Sequence, residues 1–512
     1  MGIFKKYHAA VDSIQPIKYM GIVKKQVGLT VEASGPQTET GEVCFIRVNS
    51  QGKERNILAE VVGFNGENVI LMPYDDIEGI YPGAEVIATG GPLKIDVSEE
   101  LLGRVLNGIG KAIDFKEDVF SAVKYSIFNK APNALEREPI NHPLVTGVRA
   151  IDSFLSIGGG QRIGIFSGAG VGKSTLLGMI AQNSNADVNV IALIGERGRE
   201  VKEFIHKELG EKGMERSVVI AATGDMTPLM RIRGAFTATT IAEYFRDRGA
   251  NVALYFDSVT RLARAQREVG LATAEPPTTS GFTPSVFTVL PRLLERAGKT
   301  KKGSITGIYT VLVEGDDFTE PVTDAVRGIL DGHIILSRSL AEKNHFPAID
   351  VLGSISRLQT SLTSSDFRKV VGTVRNLMAI YKENEDLITI GAYQRGSDPR
   401  IDRAIELKPR LDDFLKQDMF EHSELQATGD KLFMLLKKSE RQNLRFDMER
   451  DFPGFFESER KIDKAQRTIE KDEIERKKNL EQIVKKATEA SVARETFKTP
   501  RAHSGDPTLF NE

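Results

Sequence analysis

The clearest chemical signal in the chain is a glycine-rich run at residues 165–175, written IFSGAGVGKST. Glycines allow backbone N–H groups to turn inward around phosphates, and a helix that starts at this point adds a positive dipole. In such a loop Lys173 reaches the β- and γ-phosphates, while the Ser174 hydroxyl is placed to ligate Mg²⁺. The strict pattern G-x-x-x-x-G-K-[ST] has glycine at its first position, where this chain has the small residue Ser167. The run predicts a site for a nucleoside triphosphate and Mg²⁺, contacted by Gly168, Ala169, Gly170, Val171, Gly172, Lys173, Ser174 and Thr175.

Two carboxylates follow apolar stretches that have the composition of buried strands. Asp257 ends the stretch NVALYFD, and beside a P-loop a carboxylate at the mouth of a strand is expected to hold Mg²⁺ through water. Taken alone, such an aspartate is more often a cap or turn residue. Glu196 follows the stretch IALIG, where a carboxylate is suited to orienting a water molecule beside the γ-phosphate. Together with the loop, the two residues predict hydrolysis of the bound triphosphate.

Three arginines are further candidates for contact with the phosphates. Arg197 and Arg199 stand next to Glu196, where they would touch phosphate or, with at least equal weight, form ion pairs across a subunit boundary. Arg357 lies in AIDVLGSISRLQT after another apolar stretch. An arginine delivered into a neighbouring site raises the rate of phosphoryl transfer by about 10³–10⁵. By itself, however, one arginine in a polar loop is usually a solvated charge.

The elements that must position these residues alternate in type from about residue 101. Apolar runs predict five buried strands, at 162–166, 188–193, 217–221, 251–256 and 305–313. Helical patterns lie between them, at 174–182, 202–209 and 234–248. Alternating strands and helices imply right-handed crossovers and a mostly parallel sheet covered on both faces.

The regions on either side of these elements differ from them in composition and hydrophobic pattern. Residues 21–91 contain short runs rich in valine, isoleucine and phenylalanine, separated by turn residues, which predicts a small β-barrel. The tail is dense in charge, and its heptad pattern is poor, so a solvated helix or a disordered extension is favoured over a coiled coil. We therefore expect a multidomain α/β chain with an N-terminal helix (1–20), a β-barrel (21–95), a P-loop domain with a mostly parallel sheet (96–369), a C-terminal helical domain (370–440) and a charged extension (441–512).

The N-terminal helix is predicted from Phe4, Tyr7, Val11 and Ile14, whose spacing places them on one helical face. Packing of this face on its own protein and binding to a partner are given equal weight.

Composition excludes several classes of protein. The 69 Lys and Arg residues nearly balance 71 Asp and Glu residues, so the net charge of −2 offers no global footprint for nucleic acid. Cys44 is the only cysteine, which rules out an intrachain disulfide and fits a reducing cytoplasm. No apolar run approaches the ~20 residues that span a bilayer, and the first residues lack the features of a signal peptide.

Six ordered blocks of sequence resemble the type III protein-export ATPases, which are relatives of rotary ATP synthase subunits. The similarity extends from about residue 21 to 437, and the sequence of the blocks is most similar to that of the flagellar export ATPases. The blocks are GAGVGKST, ALIGERGREV, FDSVTRLARAQREV, EPPTTSGFTPSVFTVLPRLLERAG, EGDDFTEPVTDAVRGILDGHIILSR and DDFLKQDMFE.

The resemblance implies ATP as the nucleotide and assigns roles to individual residues. Lys173 and Ser174 match the phosphate and Mg²⁺ residues, Asp257 matches the Walker B carboxylate, and Glu196 matches the catalytic glutamate. Arg197, next to that glutamate, is kept among the catalytic candidates.

Three further roles follow from the same resemblance. Arg357 matches the arginine finger offered to the adjacent subunit. Phe346 matches the aromatic residue that stacks on adenine, with packing in the core as an equal alternative, and Gln417 lies where the family contacts the base.

The combination of Glu196 with Arg357 in one chain favours a homohexameric ring, because each subunit then supplies both halves of a site at every interface. The family implies further partners: a stator-like regulator bound through the N-terminal helix, a central stalk protein, an export gate at the membrane, and export chaperones and substrates. It also implies a cytoplasmic protein peripherally associated with the inner-membrane export apparatus, and no nucleic acid partner.

Alternatives remain at this stage. A virulence-type export ATPase is the nearest one, and a rotary ATP synthase subunit shares the chemistry. An RNA-translocating hexamer would carry a barrel with exposed aromatic and basic residues, whereas tryptophan is absent from this chain. A noncatalytic scaffold subunit is disfavoured by Glu196.

Overall fold

The structure is a computed structural model that describes residues 19–50 and 53–455. The chain divides into two units, Met1–Pro453 and Gly454–Glu512, and the fold described below is that of the first unit. The predicted helix over residues 4–14 and most of the charged extension lie outside the described residues.

The N-terminal domain is a closed six-stranded antiparallel barrel, as the sequence predicts. In the barrel the strands follow the order first, second, fifth, fourth, third and sixth. Alternate residues point inward, and buried Val31, Cys44, Ile46 and Leu71 fill the interior. The strands are Met20–Val27, Thr30–Ser34, Glu42–Ser50, Lys53–Asn65, Asn68–Pro73 and Glu85–Pro92.

A nine-stranded sheet forms the centre of the next domain. Eight of its strands form one continuous order and are parallel, except that the edge strand Ile355–Ser356 is antiparallel to its neighbour. The ninth strand, Gly298–Lys299, pairs antiparallel with Ser304–Leu312 outside this order. In order, the eight strands are Ile355–Ser356, Gly332–Leu336, Arg162–Ser167, Ser304–Leu312, Asn251–Asp257, Val188–Ile194, Ser217–Ala222 and Arg104–Leu106. All five strands predicted from apolar runs are among them.

Helices connect these strands, and the strand Val188–Ile194 is buried along its whole length, which requires cover on both faces of the sheet. Pro228–Asp247 begins where the Thr227 hydroxyl accepts a hydrogen bond from the Met230 N–H. The predicted helix at 202–209 is divided by a π-helical turn at Phe204–Leu209. The principal α-helices are Arg149–Phe154, Lys173–Asn183, Gly198–Glu203, Gly210–Glu215, Pro228–Asp247, Val259–Ala272, Pro284–Leu294, Pro321–Ile329 and Arg338–Glu342.

Short elements link the barrel to the sheet. Lys94–Asp96 pairs with Lys124–Ser126, and Pro143–Leu144 pairs with Ile157–Gly158, each in an antiparallel two-stranded ribbon.

The C-terminal region is helical, as predicted, but its packing continues past residue 440. Phe446 and Phe452 are buried against Phe367 and Phe433, with ring centroids 5.1–6.1 Å apart in the contacts that Phe367 makes. Phe446 and Phe452 therefore belong to this core, although they lie in the stretch from 441 where the extension is expected to begin, because burial of two aromatic rings outweighs the surrounding charge. The helices are Gln359–Leu362, Ser365–Thr389, Pro399–Leu415, Leu425–Leu435 and Met448–Asp451.

Within the described part of the chain, no helix is both long and apolar enough to cross a lipid bilayer.

Candidate active site

The glycine-rich loop, called the P-loop below (residues 167–175), leaves a buried strand of the sheet and enters a helix. The strand Arg162–Ser167 ends at the loop, and the helix Lys173–Asn183 begins directly after it. Gly170 and Gly172 have φ angles of 78° and 90°, in the left-handed region that favours glycine. The turn therefore aims backbone N–H groups and the helix N-terminus into one concavity, which is the arrangement that holds phosphate.

Lys173 lies between the two carboxylates that the sequence analysis singled out. Its Nζ forms an ion pair with Asp257 and lies 3.5 Å from Glu196 Oε1, while its side chain is only 12% exposed. The three residues meet because the strands that precede Glu196 and Asp257 are adjacent, and both end at the same edge of the sheet as the P-loop strand. A cation held in this way is available for exchange onto an incoming phosphate.

Asp257 is the most buried member of the cluster, and a threonine fixes its orientation. The hydroxyl of Thr310, on the strand between the P-loop strand and the Asp257 strand, donates to Asp257 Oδ1 over 2.8 Å. Ser174, in the first turn of the P-loop helix, is exposed toward solvent. Carboxylate and hydroxyl oxygens at a phosphate site suit a hard cation such as Mg²⁺, so the donor set fits that metal.

Glu196 is buried and incompletely satisfied. Arg261 Nη2 lies 3.0 Å from its Oε2, whereas its Oε1 has no hydrogen-bond partner among the described residues. Burial, followed by the neighbouring Glu200 carboxyl group and the charge of Asp257, raises the pKa of Glu196 to about 7. A carboxyl group with a pKa near neutrality is suited to general-base work.

Gly195, the residue before this carboxylate, allows Arg261 to approach. Its φ angle is 73°, and a β-carbon at this position would lie 2.9 Å from Cδ of Arg261. A larger residue would therefore displace the arginine that pairs with Glu196.

A cavity of about 530 Å³, called the base pocket below, opens beside the P-loop. Phe346 is 41% exposed and so is not a core residue, and a β-carbon at Gly172 would lie 3.6 Å from its ring. An aromatic face beside a phosphate site can stack on a nucleobase. The lining residues are Gly172, Thr175, Leu176, Met179, Asn344, Phe346, Pro347, Lys416, Gln417, Asp418 and Met419.

Gln417, which the resemblance places where the family contacts the base, lines this pocket, and its side-chain polar atoms bind other parts of the protein. Its Oε1 accepts from the Arg149 N–H over 2.9 Å, and its Nε2 donates to the carbonyls of Gly147 and Glu421, each over 2.7 Å. The side chain is committed to the fold in this arrangement. Gln417 therefore lines the pocket, but in this arrangement its side-chain oxygen and nitrogen are bound to other parts of the protein and not directed at a base.

The three candidate arginines lie outside the cluster around Lys173, and Arg199 is 80% exposed and lies 3.8 Å from Glu203. Arg197 has a side chain that is 79% exposed, and it pairs with Glu200 over 3.0 Å at the surface. Arg357 is exposed directly after the edge strand Ile355–Ser356, and its backbone N–H donates to the Asp331 carbonyl.

Thr310, Arg261 and Arg149 are functional residues that no motif in the sequence identified. Thr310 is a polar residue inside the apolar run GIYTVLV, which is a signal that could have identified it. Arg261 follows Asp257 by four positions, but it contacts Glu196 only because the helix Val259–Ala272 packs beside the loop that follows the strand Val188–Ile194. Arg149 leaves no local signal, because its partners are more than 260 positions away.

Three family models match the chain. The nucleotide-binding domain of the ATP synthase alpha/beta family matches residues 147–356, and the beta-barrel domain of the same family matches residues 23–90. The T3SS EscN ATPase C-terminal domain matches residues 363–433. The three matches follow the order of the barrel, the sheet domain and the helical region.

Curated relatives cover most of the chain. The flagellum-specific ATP synthase of Treponema pallidum is 53% identical over 84% of this chain and 96% of its own length. The type 3 secretion system ATPase of Xanthomonas euvesicatoria is 49% identical over 78% of this chain and 89% of its own length.

Solved structures agree with these relatives. The assembled ATPase EscN from the enteropathogenic E. coli type III secretion system matches with a TM-score of 0.77 and 45% identity, covering 81% of this chain and 99% of EscN. EscN in complex with its central stalk EscO matches with a TM-score of 0.75, 44% identity and the same coverage. The chain therefore belongs to the ATP synthase alpha/beta family, within its group of flagellar and type III secretion ATPases.

Proposed function

We propose that this chain hydrolyses ATP with Mg²⁺ and thereby energises protein export through a flagellar type III apparatus. The observation that carries the chemistry is the cluster of Lys173, Asp257 and Glu196 at the mouth of the P-loop. The assignment to flagellar export is supported by the names of relatives that are about half identical over most of the chain.

Each residue of the cluster has a task that its position allows. The P-loop amides and Lys173 hold the β- and γ-phosphates, and Ser174 and Asp257 supply oxygen ligands for the metal. Ser174 and Asp257 would hold Mg²⁺ there, and the metal would supply positive charge that stabilises the negative charge developing on the phosphates. Glu196, with one oxygen free of hydrogen bonds, orients the attacking water and accepts its proton.

We propose further that the active unit is a homohexameric ring with sites at the subunit interfaces. Arg357 is exposed at the edge of the sheet and lies outside the cluster of its own subunit, which suits a residue delivered to a neighbour. Arg197 is likewise exposed beside the site and remains a candidate for contact across the interface. The assembled state and stalk complex of EscN support a ring with a central stalk protein.

The remaining partners are proposed from the family alone. They are a stator-like regulator at the N-terminal helix, an export gate at the membrane, and export chaperones with their substrates. A cytoplasmic location with peripheral association at the inner-membrane export apparatus belongs to the same proposal. Phe346 and Gln417 line the base pocket and are proposed to bind the adenine end of ATP.

Export is tested in a host strain whose only copy of the gene carries Lys173→Ala, with flagellin secretion and motility measured. We expect both to be lost at normal protein level, because the phosphates lose their cation. A matched control is Lys202→Ala, which removes a lysine from the helix Gly198–Glu203 outside the cluster. Normal motility of the Lys173→Ala strain would refute flagellar export.

Shared sites are tested by mixing two inactive variants, Lys173→Ala and Arg357→Ala. A random ring then places an intact P-loop against an intact arginine at about one quarter of its interfaces, so about that fraction of wild-type ATPase activity returns. A mixture that stays as inactive as its components would refute a site shared between subunits.

A second candidate is export through a virulence-type apparatus, which is favoured by the 49% identity to the Xanthomonas euvesicatoria protein. The Lys173→Ala strain distinguishes the two functions, because effector secretion would fail while motility survives.

A further inference from the structure

The base pocket is lined by residues from two distant parts of the chain. Phe346 lies beside the parallel sheet, whereas residues 416–419 belong to the loop that follows the helix Pro399–Leu415 of the C-terminal region. The backbone N–H of Gln417 donates to the Phe346 carbonyl over 2.9 Å, which ties the two walls together. The width of the pocket consequently depends on what holds residues 416–421.

Arg149 holds this loop through its guanidinium group. The side chain is almost completely buried, and its Nε donates to the Phe414 carbonyl over 2.8 Å. The remaining nitrogens donate to the Lys416 carbonyl and form an ion pair with the Glu421 carboxylate. One planar side chain thus grips the loop at its beginning and at its end, which is a use that a lysine cannot reproduce.

Gln417 completes the attachment from the opposite direction. The helix Arg149–Phe154 has Val148 at its N-cap, which has no side-chain oxygen to accept the first N–H groups. Gln417 Oε1 accepts the Arg149 N–H instead, and its Nε2 donates to the Gly147 carbonyl. The loop and this helix therefore satisfy each other's buried polar groups.

We propose that Arg149, Gln417 and Glu421 form a clamp of positioning residues that sets the affinity of the site for the nucleoside end of ATP. The inference rests on the proposed function and deepens it. Arg149 and Glu421 do not line the pocket and need not touch the nucleotide, and Gln417 meets it only as part of the loop wall. The clamp acts by holding that wall at the distance from Phe346 that a stacked base requires. The phosphate cluster lies outside the clamp, so loosening the clamp weakens binding of the base and spares the chemical step.

The test uses Arg149→Lys, which keeps the charge and loses the forked contacts, and Glu421→Gln, which neutralises the half-exposed carboxylate that pairs with Arg149 and also accepts the Asp418 N–H. Arg403→Lys is the matched control. Arg403, on the helix Pro399–Leu415, donates hydrogen bonds to the Glu440 carboxylate and the Leu435 carbonyl, and neither partner lines the base pocket. Each protein is assayed at a concentration where it forms the same oligomer as the wild type.

Two constants are measured for each variant: the KM for Mg-ATP, and the inhibition constant of inorganic tripolyphosphate, which fills the phosphate site and has no base. With Arg149→Lys we expect the KM to rise about fivefold to tenfold, which is the effect of losing part of a base–aromatic stack. The kcat stays within about twofold of wild type, because uniform binding has been removed. Glu421→Gln gives a smaller rise, and Arg403→Lys gives none.

The tripolyphosphate constant decides between the clamp and a general loss of structure. It stays unchanged if only the base wall has moved, and weakening of tripolyphosphate in parallel with ATP would overturn the proposal. An unchanged KM in both clamp variants would overturn it as well. If Arg149→Lys does not fold, the Glu421→Gln variant alone decides the outcome. A wild-type protein that does not hydrolyse ATP would contradict the proposed function, a result that is distinct from either failure of the clamp.

Discussion

The raised pKa of Glu196 predicts how ATP hydrolysis depends on pH. The pKa of this carboxyl group moves from an ordinary value of 4.5 to about 7, with burial as the largest cause. The base is active when it is ionised, so a raised pKa means that activity is lost as the pH falls through 7. A group with a pKa of about 7 is ionised in about one molecule in ten at pH 6, whereas an ordinary glutamate would be almost fully ionised there.

We therefore expect kcat/KM for Mg-ATP to fall about tenfold from its plateau to pH 6, since this constant reports the pKa of the free enzyme. Two variants move the midpoint in opposite directions. Glu200→Gln removes a neighbour that raises the pKa of Glu196, so the midpoint shifts to lower pH. Arg261→Gln removes a cation that lowers the same pKa, so the midpoint shifts to higher pH.

The assay is steady-state phosphate release from pH 5.5 to 9 with Mg²⁺ in excess, and the measured quantity is the midpoint of the acidic limb rather than its height. Titration of the nucleotide is common to all three proteins, so it cancels from the comparison. Midpoints that coincide in wild type, Glu200→Gln and Arg261→Gln would refute Glu196 as the titrating base. A wild-type profile with no acidic limb down to pH 5.5 would refute the effect of burial.

Two further predictions concern residues that position the site and the helical region. Thr310→Val removes the hydroxyl that orients Asp257, and because a hydrogen bond to a charged group contributes about 1.5–3 kcal/mol, we expect kcat to fall at least tenfold and the Mg²⁺ requirement to rise. Thr310→Ser should restore both, and a valine variant with wild-type Mg²⁺ dependence would contradict this role. Phe446→Ala empties a buried aromatic position and should lower the free energy of unfolding by about 3–5 kcal/mol, measured by denaturant unfolding. The exposed Phe420→Ala is its control, and equal stability of the two variants would count against the aromatic core.

The three residues at the mouth of the P-loop were predictable from sequence for a definite reason. Lys173 belongs to a motif whose backbone requirements are met by adjacent glycines, and Asp257 and Glu196 each follow an apolar strand directly. Once the strands are parallel neighbours, their carboxyl ends meet at one edge. The order of the strands, which makes the two carboxylate strands neighbours, is set by the folded sheet.

Other features could not be obtained from the sequence in the same way. The Gln417 side chain is occupied by Gly147 and Arg149, a pairing that no local pattern indicates. Likewise, the aromatic rings of Phe446 and Phe452 lie in a charged stretch, and only their fit against the core of the helical region places them inside it.

The sequence by itself determined the alternation of strands and helices, the barrel, and the turn that receives phosphate, because each depends on backbone preferences and hydrophobic periodicity within a few residues. The tertiary structure decided which oxygens orient Asp257, how strongly Glu196 holds its proton, and what holds the loop beside Phe346. These properties depend on burial and on hydrogen bonds between residues far apart in the chain. Such contacts exist only after the sheet, the helices and the C-terminal loop have packed together.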